Sequence, residues 1–240
     1  MVGAEERGRP ISFSQLYVDV GAKDADAARQ LGVQVGDRIV PEGTFRRMSD
    51  PNRMISKAWD DRVGCALIVE TIEALLKQKH PNTIYAAWTT EEEMGRANAT
   101  VDLPGIHPDL VIVVEVGITL DTPDATPGST QEVLGGGPAL DMYDGALVTT
   151  PTLRDWIDRQ ARQAGIPLQF TTLWQPTGGA STSTSFLFTA PSTAILVPFR
   201  YAHTPNGVID LNDYRRTREL LLRLLTFFDE DTWRGIIGQR

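Results

Sequence analysis

The chain has 240 residues, of which 41% are hydrophobic and 22% charged, the balance of a globular chain with room for one medium domain, or one domain and a small companion. A net charge of −8 argues against general nucleic-acid or anionic-membrane binding. A single cysteine, Cys65, rules out an intrachain disulfide and a cysteine zinc cluster and fits a reducing compartment such as the cytoplasm. The opening MVGAEERGRP lacks the apolar core of a signal peptide, and no apolar run reaches membrane-spanning length.

The first ten residues are charged and contain Gly and Pro, so they read as a loosely held terminus. Residues 15–20 (QLYVDV) alternate like a half-buried strand. A short helix follows, capped by Asp24 and ended by Leu31-Gly32. Residues 33–43 read as short strands and turns of a small β-rich module.

From Ile55 the character changes. Residues 62–78 predict an amphipathic helix, with Cys65, Ile68, Val69, Ile72, Leu75 and Leu76 at helical spacing. Residues 84–90 predict a strand that runs into Glu91-Glu92-Glu93. The nearly all-apolar stretch 110–116 suits a strand buried on both faces, and the Gly-, Pro-, Asp- and Thr-rich stretch 117–150 predicts mostly loop. A helix over 152–164, strands over 168–174 and 193–199, and a last helix over 211–228 complete the pattern. Strands alternating with helices predict a layered α/β domain.

Three acidic groups fall where strands end or helices begin: Asp60-Asp61, Glu91-Glu92-Glu93 and Glu115. Sites in open α/β sheets form at the carboxyl ends of strands. His203 follows the apolar strand ending near Phe199. Carboxylates gathered together repel one another and are costly to bury. A divalent cation pair about 3.5–4 Å apart resolves this, with one bridging carboxylate and an activated water. Imidazole and carboxylate donors suit zinc, cobalt or manganese, and a further Glu can take the proton from the water. Each residue also has a plainer reading. Asp60-Asp61 can cap the helix that follows, adjacent glutamates are commonly a solvated face, and a single histidine is commonly structural. Cys65 on the apolar helix face reads as core. Gly135-Gly136-Gly137 has the wrong spacing for a nucleotide fingerprint and reads as a backbone turn.

Seven segments together resemble one family. They are LYVDVGAKDADAARQLGVQVGD (16–37), KAWDDRVGCALIVETIEAL (57–75), TTEEEMG (89–95), VVEVGITLDTP (113–123), LGGGPAL (134–140), AGIPLQF (164–170) and VPFRYAHTPNGVIDLNDY (197–214). In order and spacing they are similar to the tetrahedral-type deblocking and glutamyl aminopeptidases, some of which are labelled cellulases. The resemblance implies a three-layer zinc-aminopeptidase-like α/β domain over 55–240, with a mixed central sheet flanked by helices. Residues 1–54 then correspond to part of a β-rich inserted domain through which such enzymes assemble into homo-oligomers. The implied reaction is metal-dependent cleavage of N-terminal peptide bonds, with two divalent ions (zinc or cobalt, alternatively manganese) and a peptide as substrate.

The resemblance also implies roles. Asp60 corresponds to the carboxylate bridging both metals, in a cis Asp60–Asp61 peptide. Glu92 corresponds to the general base, Glu93 and His203 to ligands of one metal, and Glu115 to a ligand of the second. Glu91 has no assigned role. Two departures stand out. The family's remaining ligand is a histidine in an H-x-D segment upstream of the paired aspartates, and the three histidines here are His80, His107 and His203. The second metal position is therefore expected to be weakened. The other departure is Gly178-Gly179-Ala180-Ser181, where relatives often have Asp at the position of Ser181. A truncated, non-catalytic assembly subunit and a carbohydrate hydrolase are the alternative readings.

Overall fold

In a computed structural model of the chain, residues 11–90, 92–94, 106–123, 125, 132–144, 147–172 and 190–238 are described. The chain divides into two compact units, Met1–Pro41 and Glu42–Arg240.

In the first unit the one described helix is α1 (Ala25–Gln30), and the Asp24 carboxylate accepts the Ala27 N–H at its start, as an N-cap should. Gly32 follows at φ +87°, the left-handed turn that glycine adopts at a helix end without a Cβ penalty. The strand expected over 15–20 does not form. A turn of 3-10 helix at Phe13–Gln15 stands there instead, followed by extended chain. Leu16, Tyr17, Val18 and Val20 are all exposed, so neither side of the alternation meets a burying surface. Residues 33–40 likewise form no strand.

The second unit is built on one mixed sheet. Its strands, among the described residues, are β1 (Arg46–Arg47), β2 (Arg53–Ser56), β3 (Val111–Ile118), β4 (Ala139–Tyr143), β5 (Gln169–Thr172), β6 (Ser192–Arg200) and β7 (Gly207–Asp210). The order is β1-β2-β7-β6-β4-β5, with β3 on the other edge of β6. β3 and β6 pair in parallel over eight registers, from Val111↔Ser192 to Ile118↔Phe199. β4 pairs antiparallel with the middle of β6, Ala194 to Leu196, and β7 with its end, Phe199 and Arg200. β6 therefore has neighbours on both edges, which suits its buried run of Thr, Ala, Ile, Leu and Val.

Among the described residues, the α-helices of this unit are α2 (Trp59–Leu75), α3 (Pro151–Ala164), α4 (Leu211–Phe227) and α5 (Glu230–Ile236). Pro151 opens α3 and Gly165 closes it at φ +68°, the favoured placement for each. Asp210 caps α4 through the Asn212 N–H. The larger core joins Val63 and Leu67 of α2, Leu153, Trp156, Ile157 and Ala161 of α3, and Leu220, Leu221 and Leu224 of α4 to Val116, Leu140, Ile195, Val197 and Ile209 of the sheet. A smaller cluster of Ala139, Leu147, Ala194 and Leu196 uses the alternate residues of β4 and β6, hence the other face. No described helix is long and apolar enough to cross a membrane.

Two expectations are corrected here. Residues 84–90 form no strand, and Tyr85 and Trp88 are exposed. The apolar content of that run is not matched by a backbone ladder, which a strand requires. Cys65 is exposed rather than core. The buried stripe of α2 is Val63, Leu67, Thr71 and Leu75, spaced by four, so the face holding Cys65, Val69 and Leu76 turns outward.

Candidate metal centre

The helix α2 begins irregularly. Ala58 stands at φ +57°, Asp60 and Asp61 have non-helical dihedrals, and the Asp60–Asp61 peptide is cis. Asp61 turns back to cap the helix, accepting the Gly64 N–H at 2.9 Å. The Asp60 carboxylate is left free to point elsewhere. It meets the His203 ring, with Asp60 Oδ2 3.2 Å from His203 Nε2.

His203 lies in the tight loop between β6 and β7 and itself stands at φ +57°, an uncommon conformation for a residue with a Cβ. Its Nε2 is also 3.3 Å from Glu93 Oε2. Glu93 belongs to a turn of 3-10 helix, Glu92–Met94. One donor atom each from Asp60, Glu93 and His203 lies within 4.8 Å of the others. Residues separated by more than a hundred positions thus converge on one point.

The electrostatics of the neighbourhood are those of carboxylates crowded together. Burial, then the charge of Glu93, pushes the Asp60 carboxyl up to about 6, against the pull of His203. Asp61 is pushed up to about 8 by burial and by the charges of Asp60 and Glu92, although the Gly64 N–H opposes this. Glu92 is raised by burial and by Glu93 and Asp60. Glu115, on β3, is held well above the usual carboxylate range by burial and then by Asp61, with smaller contributions from Asp60 and Glu92. Its Oε1 accepts the Val116 N–H. Among the described residues, the ion pairs of Asp60 and Glu93 are with His203. Excess negative charge beside an imidazole is the donor set a divalent cation satisfies, so Asp60, Glu93 and His203 could hold one ion.

The structure therefore brings together three of the expected ligands and sets Glu92 and Glu115 in electrostatic contact with them. Glu115 is not part of the three-donor group. Glu91 and residues 178–181 lie outside the described residues. His80 is engaged locally, its Nδ1 3.0 Å from the Asn82 carbonyl oxygen.

The glycine run at 135–137 is a turn. The buried Asp213 of α4 accepts the Gly135 and Gly137 N–H groups at 2.6 and 2.8 Å, and Gly137 at φ +94° abuts the Pro167 carbonyl so closely that a Cβ would lie 2.2 Å from it.

Sequence reasoning missed Asp121 and Arg200. Arg200 ends β6, and its guanidinium donates to both Asp121 carboxylate oxygens at 2.6 and 2.7 Å. Burial works against the Asp121 charge, but Arg200 and the Leu134 N–H hold its carboxyl down at about 2. An arginine closing an apolar strand, three residues before the loop histidine, was the one available signal.

A mixed α/β domain that gathers two carboxylates, from a helix start and a 3-10 turn, and an imidazole from the β6–β7 loop has a donor set that could hold a divalent ion. The chain matches the M42 glutamyl aminopeptidase family over residues 1–220 and belongs to it. The TET aminopeptidase of a marine sediment Thaumarchaeota archaeon superposes with a TM-score of 0.89 at 31% identity, covering 98% of this chain and 66% of that one. The glutamyl aminopeptidase of Lactococcus lactis is 28% identical over 217 residues, 90% of this chain and 59% of its own length. The lysyl aminopeptidase of Pyrococcus furiosus is 29% identical over 223 residues, 92% of this chain and 62% of its own length. The chain spans less than two thirds of the length of these relatives.

Proposed function

We propose that this chain carries the catalytic residues of a metal-dependent aminopeptidase that hydrolyses the N-terminal peptide bond of peptides. The observation that carries the reading is the convergence of Asp60, Glu93 and His203 within 4.8 Å, with Glu92 next to Glu93 in the same turn. In this reading Glu93 and His203 hold one ion, Asp60 is shared between two positions, and Glu115 serves the second. The bound ions, zinc or cobalt in this proposal, supply Lewis acidity toward the scissile carbonyl and lower the pKa of a water. Glu92 holds the proton of that water and passes it to the leaving amine. Burial and the neighbouring carboxylates keep the Glu92 carboxyl raised, which suits a group that must take a proton and give it back.

Support comes from family membership and from relatives named for N-terminal hydrolysis. A glycosidase reading needs two carboxylates acting without a metal, and a histidine between Asp60 and Glu93 has no role in it. Assembly into a homo-oligomer through the residues before 55, and residence in the cytoplasm, belong to the same proposal.

The test is Glu92→Gln, assayed on aminoacyl anilides with bound metal measured in parallel. Turnover is expected to fall by about 10²–10⁴ with the metal content unchanged. Full turnover in this variant would remove Glu92 from the mechanism.

A second reading is favoured by one observation: among the described residues a single three-donor group, Asp60, Glu93 and His203, is gathered. A chain that fills one position only would bind metal without turnover. One tightly bound ion per chain and no hydrolysis would select it.

A further inference from the structure

The His203 ring is 69% exposed, so packing does not decide where it points. Its position has to come from the loop that carries it. That loop, residues 201–206, is short and strained: Tyr201 and His203 both have positive φ, +60° and +57°, conformations that persist only where the surroundings enforce them. Inside the loop, the Thr204 hydroxyl donates to the Tyr201 carbonyl at 2.8 Å. The stronger constraints act at the two ends.

At the first end, Arg200 forms the two-pronged pair with Asp121, and Asp121 in turn accepts the Leu134 N–H at 3.1 Å. A bidentate pair fixes direction as well as distance, so the last residue of β6 is locked to the chain that follows β3. At the second end, the Trp59 indole N–H donates to the Gly207 carbonyl at 3.1 Å. Trp59 immediately precedes Asp60. Gly207 packs too closely for any side chain, since a Cβ there would lie 2.3 Å from Phe199 and 3.1 Å from Trp59. The Phe45 ring meets Trp59 edge-on at 5.8 Å. One side chain therefore ties the segment presenting Asp60 to the far end of the loop presenting His203.

We propose that Trp59 and the Asp121–Arg200 pair are positioning residues that clamp the His203 loop at its two ends and set the His203–Asp60 geometry for metal binding. The inference rests on the metal reading of this site. None of the three is among the donors Asp60, Glu93 and His203; each acts through backbone that a donor depends on, as outer partners of metal ligands do.

The experiment is zinc affinity by competition with a chelating dye, together with the visible spectrum of the cobalt-loaded protein, for wild type, His203→Ala, Trp59→Phe and Asp121→Asn. Trp59→Phe keeps a ring and removes the N–H; Asp121→Asn keeps the shape and removes the charge. Each is expected to weaken zinc binding about tenfold and to change the cobalt spectrum, while the melting temperature of the metal-free protein changes little. Wild-type affinity in both variants overturns the clamp and leaves the metal reading intact. Zinc binding in wild type that His203→Ala does not weaken overturns both. A lower metal-free melting temperature at unchanged affinity and spectrum shows a structural role only and also overturns the clamp. If Trp59→Phe fails to fold, Asp121→Asn decides.

Discussion

Asp213 and Gly137 lie 76 residues apart, and the Asp213 carboxylate accepts the Gly137 N–H at 2.8 Å while its other oxygen takes the Gly135 N–H. A helix residue thereby satisfies two donors, the buried Gly137 N–H and the part-buried Gly135 N–H, of a turn that has no ladder of its own. Asp213→Ala leaves both donors unmet, at a cost of about 1–3 kcal/mol for each unsatisfied group. In a domain of this size about 1 kcal/mol moves the melting temperature by roughly 2–4 °C. A drop of about 5–15 °C is expected by thermal denaturation. An unchanged midpoint would show that water or rearrangement replaces Asp213.

Glu132 is 3% exposed, its Oε2 has no hydrogen-bond partner, and a Cβ on Gly117 would stand 2.6 Å from both of its oxygens. Burial, then the charge of Asp141, pushes its carboxyl up to about 8 from an ordinary 4.5. Asp141 is pushed up to about 7 by burial and Asp144. The folded-state values are raised, so the stability these groups contribute is fully present below about pH 4 and is lost as pH rises toward 8. The melting temperature of wild type should therefore decline across that window. Glu132→Gln, neutral at every pH, should decline less, by an amount on the order of 1–3 kcal/mol at pH 8. Parallel pH profiles for the two proteins would show that Glu132 is not the source.

His203→Ala removes the imidazole and leaves two carboxylates of the three-donor group. Zinc affinity is expected to fall at least about tenfold, read by dialysis against a chelator series. Retained affinity would place the ion elsewhere.

Cys65 is exposed in the folded chain, and its thiol is raised by burial of the sulfur and by the nearby Asp61 and Glu115 charges. A maleimide should label native protein with a stoichiometry of one, at a rate that climbs above the pH where an ordinary thiol reacts. Labelling only after denaturation would contradict this placement.

Much of the α/β pattern was legible because helices α3 and α4 carry apolar stripes, and because β6 is a largely apolar run. Asp60, Glu93 and His203 were legible as a set through motif order, which carries spatial information that spacing alone lacks. The strand expected over 84–90 misled because apolar content marks burial potential and not the presence of a pairing partner. Cys65 misled because α2 buries a four-residue stripe one step away from the one that counting apolar residues suggests. Trp59–Gly207 and Asp121–Arg200 were invisible because each pair is separated by 148 or 79 positions, and nothing local marks either member as a partner of the other.

β6 is hydrogen-bonded along both edges, and the His203 loop leaves directly from its end. Amides of a doubly paired central strand open only with the whole molecule. Hydrogen exchange should therefore be slowest in 193–199 and quicken sharply within a few residues, at 201–206. The His203 loop is rooted in the strand expected to open last, so its root should endure until global unfolding, even where its exposed tip fluctuates.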